Sequence, residues 1–163
     1  MRVIKRRKRQ KKTDYLLRVG LLKSGKPRIL FRKTNRYAIG QCIQSENAKD
    51  KVILGVTSKD LVAYGWPQEK SGSLKSIPAC YLTGLLLGKR ILKKSKSKEF
   101  IFDIGMLRHI KKSKVYAFLK GTIDAGLKIN ADKDVFPDVK KLSGENTKVK
   151  DIINNIKEKI EKE

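Results

Sequence analysis

Residues 28–57, RILFRKTNRYAIGQCIQSENAKDKVILGVT, decide the fold. Residues 28–32 are short and rich in β-forming side chains, 33–35 (Lys-Thr-Asn) are a turn signal, and 37–44 resume the extended pattern. Residues 47–51 make the next turn and 52–57 a third strand. This spacing suits an antiparallel meander.

Downstream, residues 77–94 predict a long helix. Tyr81, Leu82, Leu85, Leu86, Ile91 and Leu92 make its broad apolar face, and Lys89, Arg90, Lys93 and Lys94 crowd the last turn, where cations suit the helix dipole. Gly84 and Gly88 form a GxxxG, which in a soluble chain reads as close packing of helix on sheet. Residues 99–103 predict a short strand. Ser113 can cap a second helix running to Ala125, which Gly126 can end in the left-handed conformation. Three strands, a helix, a strand and a helix read as a layered α/β domain over residues 27–129. Beyond it, in an extension over 130–163, Val149, Ile152, Ile153, Ile156 and Ile160 recur at spacings of three and four. They form one apolar stripe that needs a surface, its own domain or a partner.

Upstream, residues 1–26 read as a basic extended arm, since like charges this dense oppose an isolated helix. Residues 13–22 can form a short helix there, and 23–27 (Lys-Ser-Gly-Lys-Pro) a turn. Of 40 Lys and Arg against 16 acids in 163 residues, 15 cations and a single acid, Asp14, lie before residue 37. Residues 145–163 carry five of each sign and are neutral. A net charge of +24 repels itself unless a polyanion neutralises it. The basic run is not followed by an apolar signal core, and the longest mainly apolar run, 77–88, is too short to span a bilayer. A soluble, unexported protein without a membrane partner is expected. Cys42 and Cys80 lack CxxC spacing and read as reduced core residues.

Catalysis has little to work with. His109 is the only histidine, flanked by Arg108 and Lys111, and reads as a surface residue. Asp60, Asp103 and Asp124 are separated and suit local turn or helix roles, whereas metal-dependent hydrolysis needs converging acids. The first strand carries Arg28 and Arg32 instead. Residues 70–75 (KSGSLK) lack the spacing of a phosphate-binding P-loop. Neither a cofactor nor a small-molecule substrate is expected.

Nucleic-acid binding draws on more of the chain. The arm offers Arg2, Lys5, Arg6, Arg7, Lys8, Arg9, Lys11, Lys12, Thr13, Arg18, Lys23 and Lys26 to phosphates. The turn after the first strand adds Arg32, Lys33, Thr34, Asn35 and Arg36. Lys111, Lys112 and Lys114 form a third cluster at the start of the second helix, where amide dipoles also favour phosphate. Tyr15, Tyr64 and Trp66 can stack on unpaired bases, the last two in an exposed-looking loop. Trp66 reads equally as a core residue beneath that loop. An RNA-processing enzyme and a DNA-compacting protein remain rival readings; magnesium-dependent cleavage or indifference to RNA would mark them.

The segments KTDY at 12–15, LLKSGKPR at 21–28, RKTN at 32–35, YGW at 64–66, PACYLTGLLLG at 78–88, FDIG at 102–105 and SKVYAFLKGTIDAGL at 113–127 stand out together. In them the chain resembles the archaeal and eukaryotic large-subunit ribosomal protein L-eighteen family, which binds 5S rRNA. The resemblance implies an α/β core with a mixed sheet of ribonuclease-H-like topology, without the nuclease carboxylates. It implies a cytoplasmic, ribosomal protein that holds 5S rRNA in the central protuberance and touches 23S rRNA and neighbouring ribosomal proteins. The arm from Arg6 to Tyr15 and the turn from Arg32 to Arg36 would contact 5S rRNA.

Overall fold

The computed structural model describes residues 4–47, 49–94, 99–144 and 150–162. Two short helices, α1 (Arg6–Arg9) and α2 (Tyr15–Lys23), precede β1 (Arg28–Lys33), β2 (Ala38–Glu46) and β3 (Lys49–Thr57). Then come α3 (Ile77–Lys94), β4 (Ile101–Asp103), α4 (Lys114–Asp124), α5 (Val139–Leu142) and α6 (Lys150–Lys162). The sheet order is β3-β2-β1-β4, with the first three strands antiparallel and β4 parallel to β1. A parallel partner needs a crossover, and the connection through α3 supplies it.

The meander is as the sequence predicts, but β3 begins at Lys49 rather than 52. Asn47 turns the chain in the left-handed region (φ +49°), a conformation its short polar side chain tolerates. Asp50 then pairs with Ser45 across the ladder, so polar residues that read as turn belong to strand. At the first turn, the Thr34 hydroxyl donates to the Tyr37 carbonyl at 2.7 Å and accepts from the Tyr37 N–H at 3.0 Å.

Side chains of a strand alternate between faces, and here the alternation divides core from surface chemistry. Ile29, Phe31, Ala38, Cys42 and Val56 point at the helices and are buried. Arg28, Leu30, Arg32 and Asp103 lie on the opposite face, following from the pairing of Leu30 with Asp103. Gly40 is a necessity of the inner face, because a Cβ there would meet the Phe118 ring at 2.6 Å.

The GxxxG of α3 packs on a helix, not on the sheet as expected. A Cβ at Gly84 would meet the Phe118 carbonyl oxygen of α4, one at Gly88 the Ala125 Cβ, and one at Gly121 of α4 the Tyr81 carbonyl. Backbones at this separation require glycine on both helices. Pro78 through Gly88 are all buried, because sheet contacts, α4 and α6 surround that half of α3. Leu92, placed by sequence on the apolar face, is instead 37 % exposed at the outer end of the helix.

Gly126 ends α4 at φ +109°, as its position predicts, but Ser113 does not cap with its side chain. Glu99, predicted to open β4, makes only an isolated bridge to Lys128. The stripe of α6 finds its surface within the chain: Ile153, Ile156 and Ile160 are buried and the helix lies against α3. Val149 lies outside the described residues. Cys42 and Cys80 are free and buried; burial raises their thiol pKa values to about 11 and about 12.

Candidate nucleic-acid interface

The arm is more ordered than its charge predicts. Arg6–Arg9 makes one helical turn, and Lys11 then takes a left-handed conformation (φ +51°) that turns the chain back. The Lys12 N–H donates to the Arg7 carbonyl and the Arg7 Nε to the Thr13 hydroxyl at 2.8 Å. A four-residue turn held by these contacts brings few like charges into register, so repulsion that would oppose a long helix does not unwind it. Asp14 caps α2, its Oδ1 accepting from the Leu16 and Leu17 N–H groups at 2.9 and 3.2 Å. The one acid of the arm is therefore occupied with amides. Lys5, Arg6, Arg7, Lys8, Arg9, Lys11 and Lys12 are exposed and form no ion pair among the described residues. Lys5 sits 4.7 Å above the ring of half-buried Tyr15. Arg2 lies outside the described residues.

What seats the arm is a chain of charges on the outer sheet face. Arg18 of α2 meets Asp50 at 2.8 Å, and Asp50 meets Arg28 at 2.8 Å. Arg28 also donates to the Ser45 hydroxyl at 2.9 Å and to Asp103 at 3.1 Å, and the Gly105 N–H holds the other oxygen of Asp103 at 2.8 Å. The Arg28 side chain is 4 % exposed and that of Asp103 8 %, so this is a buried pair with its hydrogen bonds satisfied. Burial pushes the Asp50 carboxyl up, but hydrogen bonds from Ser45 and Arg18 and the charges of Arg28 and Arg18 outweigh it. Its pKa ends below the usual carboxylate range. Asp103 thus has a long-range partner in addition to the local turn role its sequence context suggests. Sequence reading passed over this seat; its only local signal is a lone arginine opening an apolar strand.

Arg32 lies beside the arm over Gly105, where a Cβ would stand 2.8 Å from its Nη1. Desolvation lowers its pKa, Asp103 opposes this, and the neighbouring Arg28 and Arg7 charges add to it. Arg7, Lys12, Arg18, Arg28 and Arg32 converge with Asp14 and Asp103 on a recess of about 90 Å³, a cationic hollow at the junction of arm and sheet.

The other predicted contacts divide. Lys33, Asn35 and Arg36 are exposed at the hairpin end, whereas the Thr34 hydroxyl is engaged within the turn. Lys23 and Lys111 are exposed. Lys26 pairs with Glu99 at 2.8 Å and Lys112 with Asp138 at 3.0 Å, each lysine holding its carboxylate partner's pKa low. Lys114 is half-buried on α4. Trp66, for which base stacking and a core place read equally from sequence, is only 3 % exposed and joins the core, so it has no face to offer a base. Tyr64 packs beside it, its hydroxyl accepting from Arg90 at 3.0 Å. His109 is exposed, its Nδ1 3.0 Å from the Tyr116 hydroxyl.

Among the described residues no group of three His, Cys, Asp or Glu could hold a metal ion. No helix among them is long and apolar enough to cross a membrane.

The family model for ribosomal large subunit proteins 60S L5 and 50S L18 matches residues 1–102. The large ribosomal subunit protein uL18 of Korarchaeum cryptofilum is 43 % identical over 158 residues, covering 97 % of this chain and 75 % of its own length. Its counterpart in Methanothrix thermoacetophila is 42 % identical over 144 residues (88 % and 82 %). That of Natronomonas pharaonis is 41 % identical over 139 residues (85 % and 73 %).

Proposed function

The chain belongs to the family of ribosomal large-subunit proteins L5 and L18, whose members are structural rather than enzymatic, and from that premise we propose that it binds 5S rRNA. As a member it is a component of the large ribosomal subunit, and hence of the cytoplasmic translation machinery. In the finer reading it fixes 5S rRNA in the central protuberance, with 23S rRNA and neighbouring ribosomal proteins as further partners. Residues 1–26 are then the RNA-binding arm, 27–129 the core and 130–163 an extension. The sheet order, with β4 parallel to β1 beside an antiparallel meander, supports a ribonuclease-H-like topology. Where a nuclease would gather acids, the outer face carries Arg28 tied to Asp103.

One observation carries this reading. The charge chain from Arg18 through Asp50 and Arg28 to Asp103 holds α2 on the sheet. The cations from Lys5 to Lys12, without an ion pair among the described residues, thereby stand on a fixed base beside Arg32. Phosphates of a folded RNA would be met by charge and shape, with Tyr15 offering a ring edge to an unpaired base. No bond is made or broken.

Each phosphate neutralised releases counterions, so log affinity falls with log salt by about 0.7–0.9 per contact. Filter binding of 5S rRNA across a salt series tests the assignment, comparing the native chain with one whose seven cations from Lys5 to Lys12 are glutamine. The native chain should show the steeper slope, by about 3–6 if most of the seven touch phosphate. Equal slopes, or equal affinity for 5S rRNA and random duplex DNA, would overturn it.

A further inference from the structure

A second groove, of about 540 Å³, opens between the end of β1, the start of α3 and the segment that leads into α4. Its floor is aliphatic: Ile77, Leu107 and Val115, with Met106 and Ile110 standing 53 % and 59 % exposed at its lip. Its rim is cationic: Lys33, Arg108 and Lys114 line it, no acid does, and none of the three forms an ion pair among the described residues. The Ser113 hydroxyl, also in the lining, is buried without a hydrogen-bond partner among the described residues. It precedes the eleven-residue α4 without capping it, so neither the hydroxyl nor the first amides of that helix are answered by a side-chain cap.

The chemistry of these parts selects the occupant. An aliphatic floor stabilises an aliphatic side chain, and leaving Met106 and Ile110 in water forgoes that burial. An acid-free cationic rim favours negative charge, and an unpartnered buried hydroxyl favours an acceptor. Nucleic acid meets the charge but not the floor, because none of the lining residues is an aromatic on which a base could stack. We infer that this groove takes an acidic segment of a neighbouring polypeptide. An aliphatic side chain of that segment seats on Ile77, Leu107 and Val115, and an adjacent carboxylate sits at Ser113 between Lys33 and Lys114. Two residues predicted from sequence as RNA contacts thereby belong to a protein-docking surface. The inference stands independently of whether the arm binds 5S rRNA.

The test uses the full chain with its seven arm cations from Lys5 to Lys12 replaced by glutamine, which weakens non-specific attraction. A fluorescein-labelled peptide of alternating glutamate and leucine is titrated by anisotropy, beside a glutamate–serine peptide of the same length and charge. The leucine peptide should bind at least tenfold tighter, Ile110→Glu should remove that preference, and Ser113→Ala should weaken binding several-fold. Ile110 is exposed, so an unchanged melting curve is expected for its variant. Equal binding of the two peptides, indifference to Ile110→Glu, or displacement of the leucine peptide by equimolar oligouridylate would each overturn the assignment, the last in favour of an RNA surface.

Discussion

Replacing Arg28 by methionine keeps the length of the stem and removes the guanidinium on which the outer-face chain depends. Three hydrogen bonds go: to Asp103, to Ser45 and to Asp50. The consequences at the two carboxylates differ. Asp50 is 28 % exposed and keeps Arg18 and Ser45, so its share is small. Asp103 is 8 % exposed and keeps the Gly105 N–H and the charge of nearby Arg32, leaving a charge buried with less compensation. Orphaning one member of a buried pair costs about 3–5 kcal/mol. The retained Gly105 bond argues for about 3 kcal/mol, or roughly a hundredfold in the folding equilibrium. In a domain of this size that is a fall in Tm of about 6–12 °C.

Acid should narrow the gap. Asp50 has a depressed pKa in the folded state, so its contribution is present above the ordinary carboxylate pKa and is lost as pH falls through the lowered value. The native chain loses this on acidification. The variant, with Arg28 gone, has less of it to lose. Urea unfolding followed by far-ultraviolet circular dichroism, near neutrality and near pH 4, measures both. Replacing both partners, Arg28→Met with Asp103→Leu, should recover most of the loss, since apolar side chains of like volume often match a buried pair. A single-variant loss under about 1 kcal/mol at neutrality, outside the 3–5 kcal/mol expected for an orphaned partner, would refute the reasoning. So would a gap that widens in acid.

Three further outcomes are expected. Gly84→Ala should destabilise by about 1–3 kcal/mol or more, because its Cβ meets backbone on α4, whereas Gly20→Ala, with open space around it in α2, should stabilise by about 0.5–1 kcal/mol; paired thermal melts check both signs. Ile156→Ala removes a side chain 1 % exposed between α6 and α3 and should cost about 2–4 kcal/mol in urea titrations. The thiols of Cys42 and Cys80, raised to about 11 and about 12, should resist a disulfide reagent at mildly alkaline pH in the folded chain and react promptly in concentrated guanidinium.

The meander, α3 and the stripe of α6 were legible because each is written in local periodicity, with a pattern of two or of three and four that burial must obey. Trp66 was not, since nothing within a few residues says whether a ring beside Gly65 and Pro67 turns inward; only the assembled core does. The GxxxG announced a close approach but not its partner, which is settled by Gly121, 37 positions beyond Gly84. The arm's seat was the least legible part. Arg28 and Asp103 lie 75 positions apart, and Asp50 looked like a turn residue until its ladder with Ser45 formed. Composition located the charge, and only tertiary pairing separates cations that hold the fold from cations left over.

That separation gives the strongest reason to expect a polyanion. The first 36 residues carry 15 cations and one acid. The acid caps α2, its carboxylate accepting from backbone N–H groups. The core lends Asp50, Asp103 and Glu99, and these take Arg18, Arg28 and Lys26. Those three pairs fix the arm's base and the first strand, and the cations from Lys5 to Lys12 find no carboxylate among the described residues. An arm made for electrostatic self-association with its own domain would bring its densest charge to acids, and this one keeps that charge at the surface. Salt should therefore strengthen the free chain, by screening repulsion within the arm, and weaken its complex with RNA, by competing for phosphate. The two effects have opposite sign on one protein. A melting temperature that falls with added salt would show that attraction, not repulsion, governs the arm.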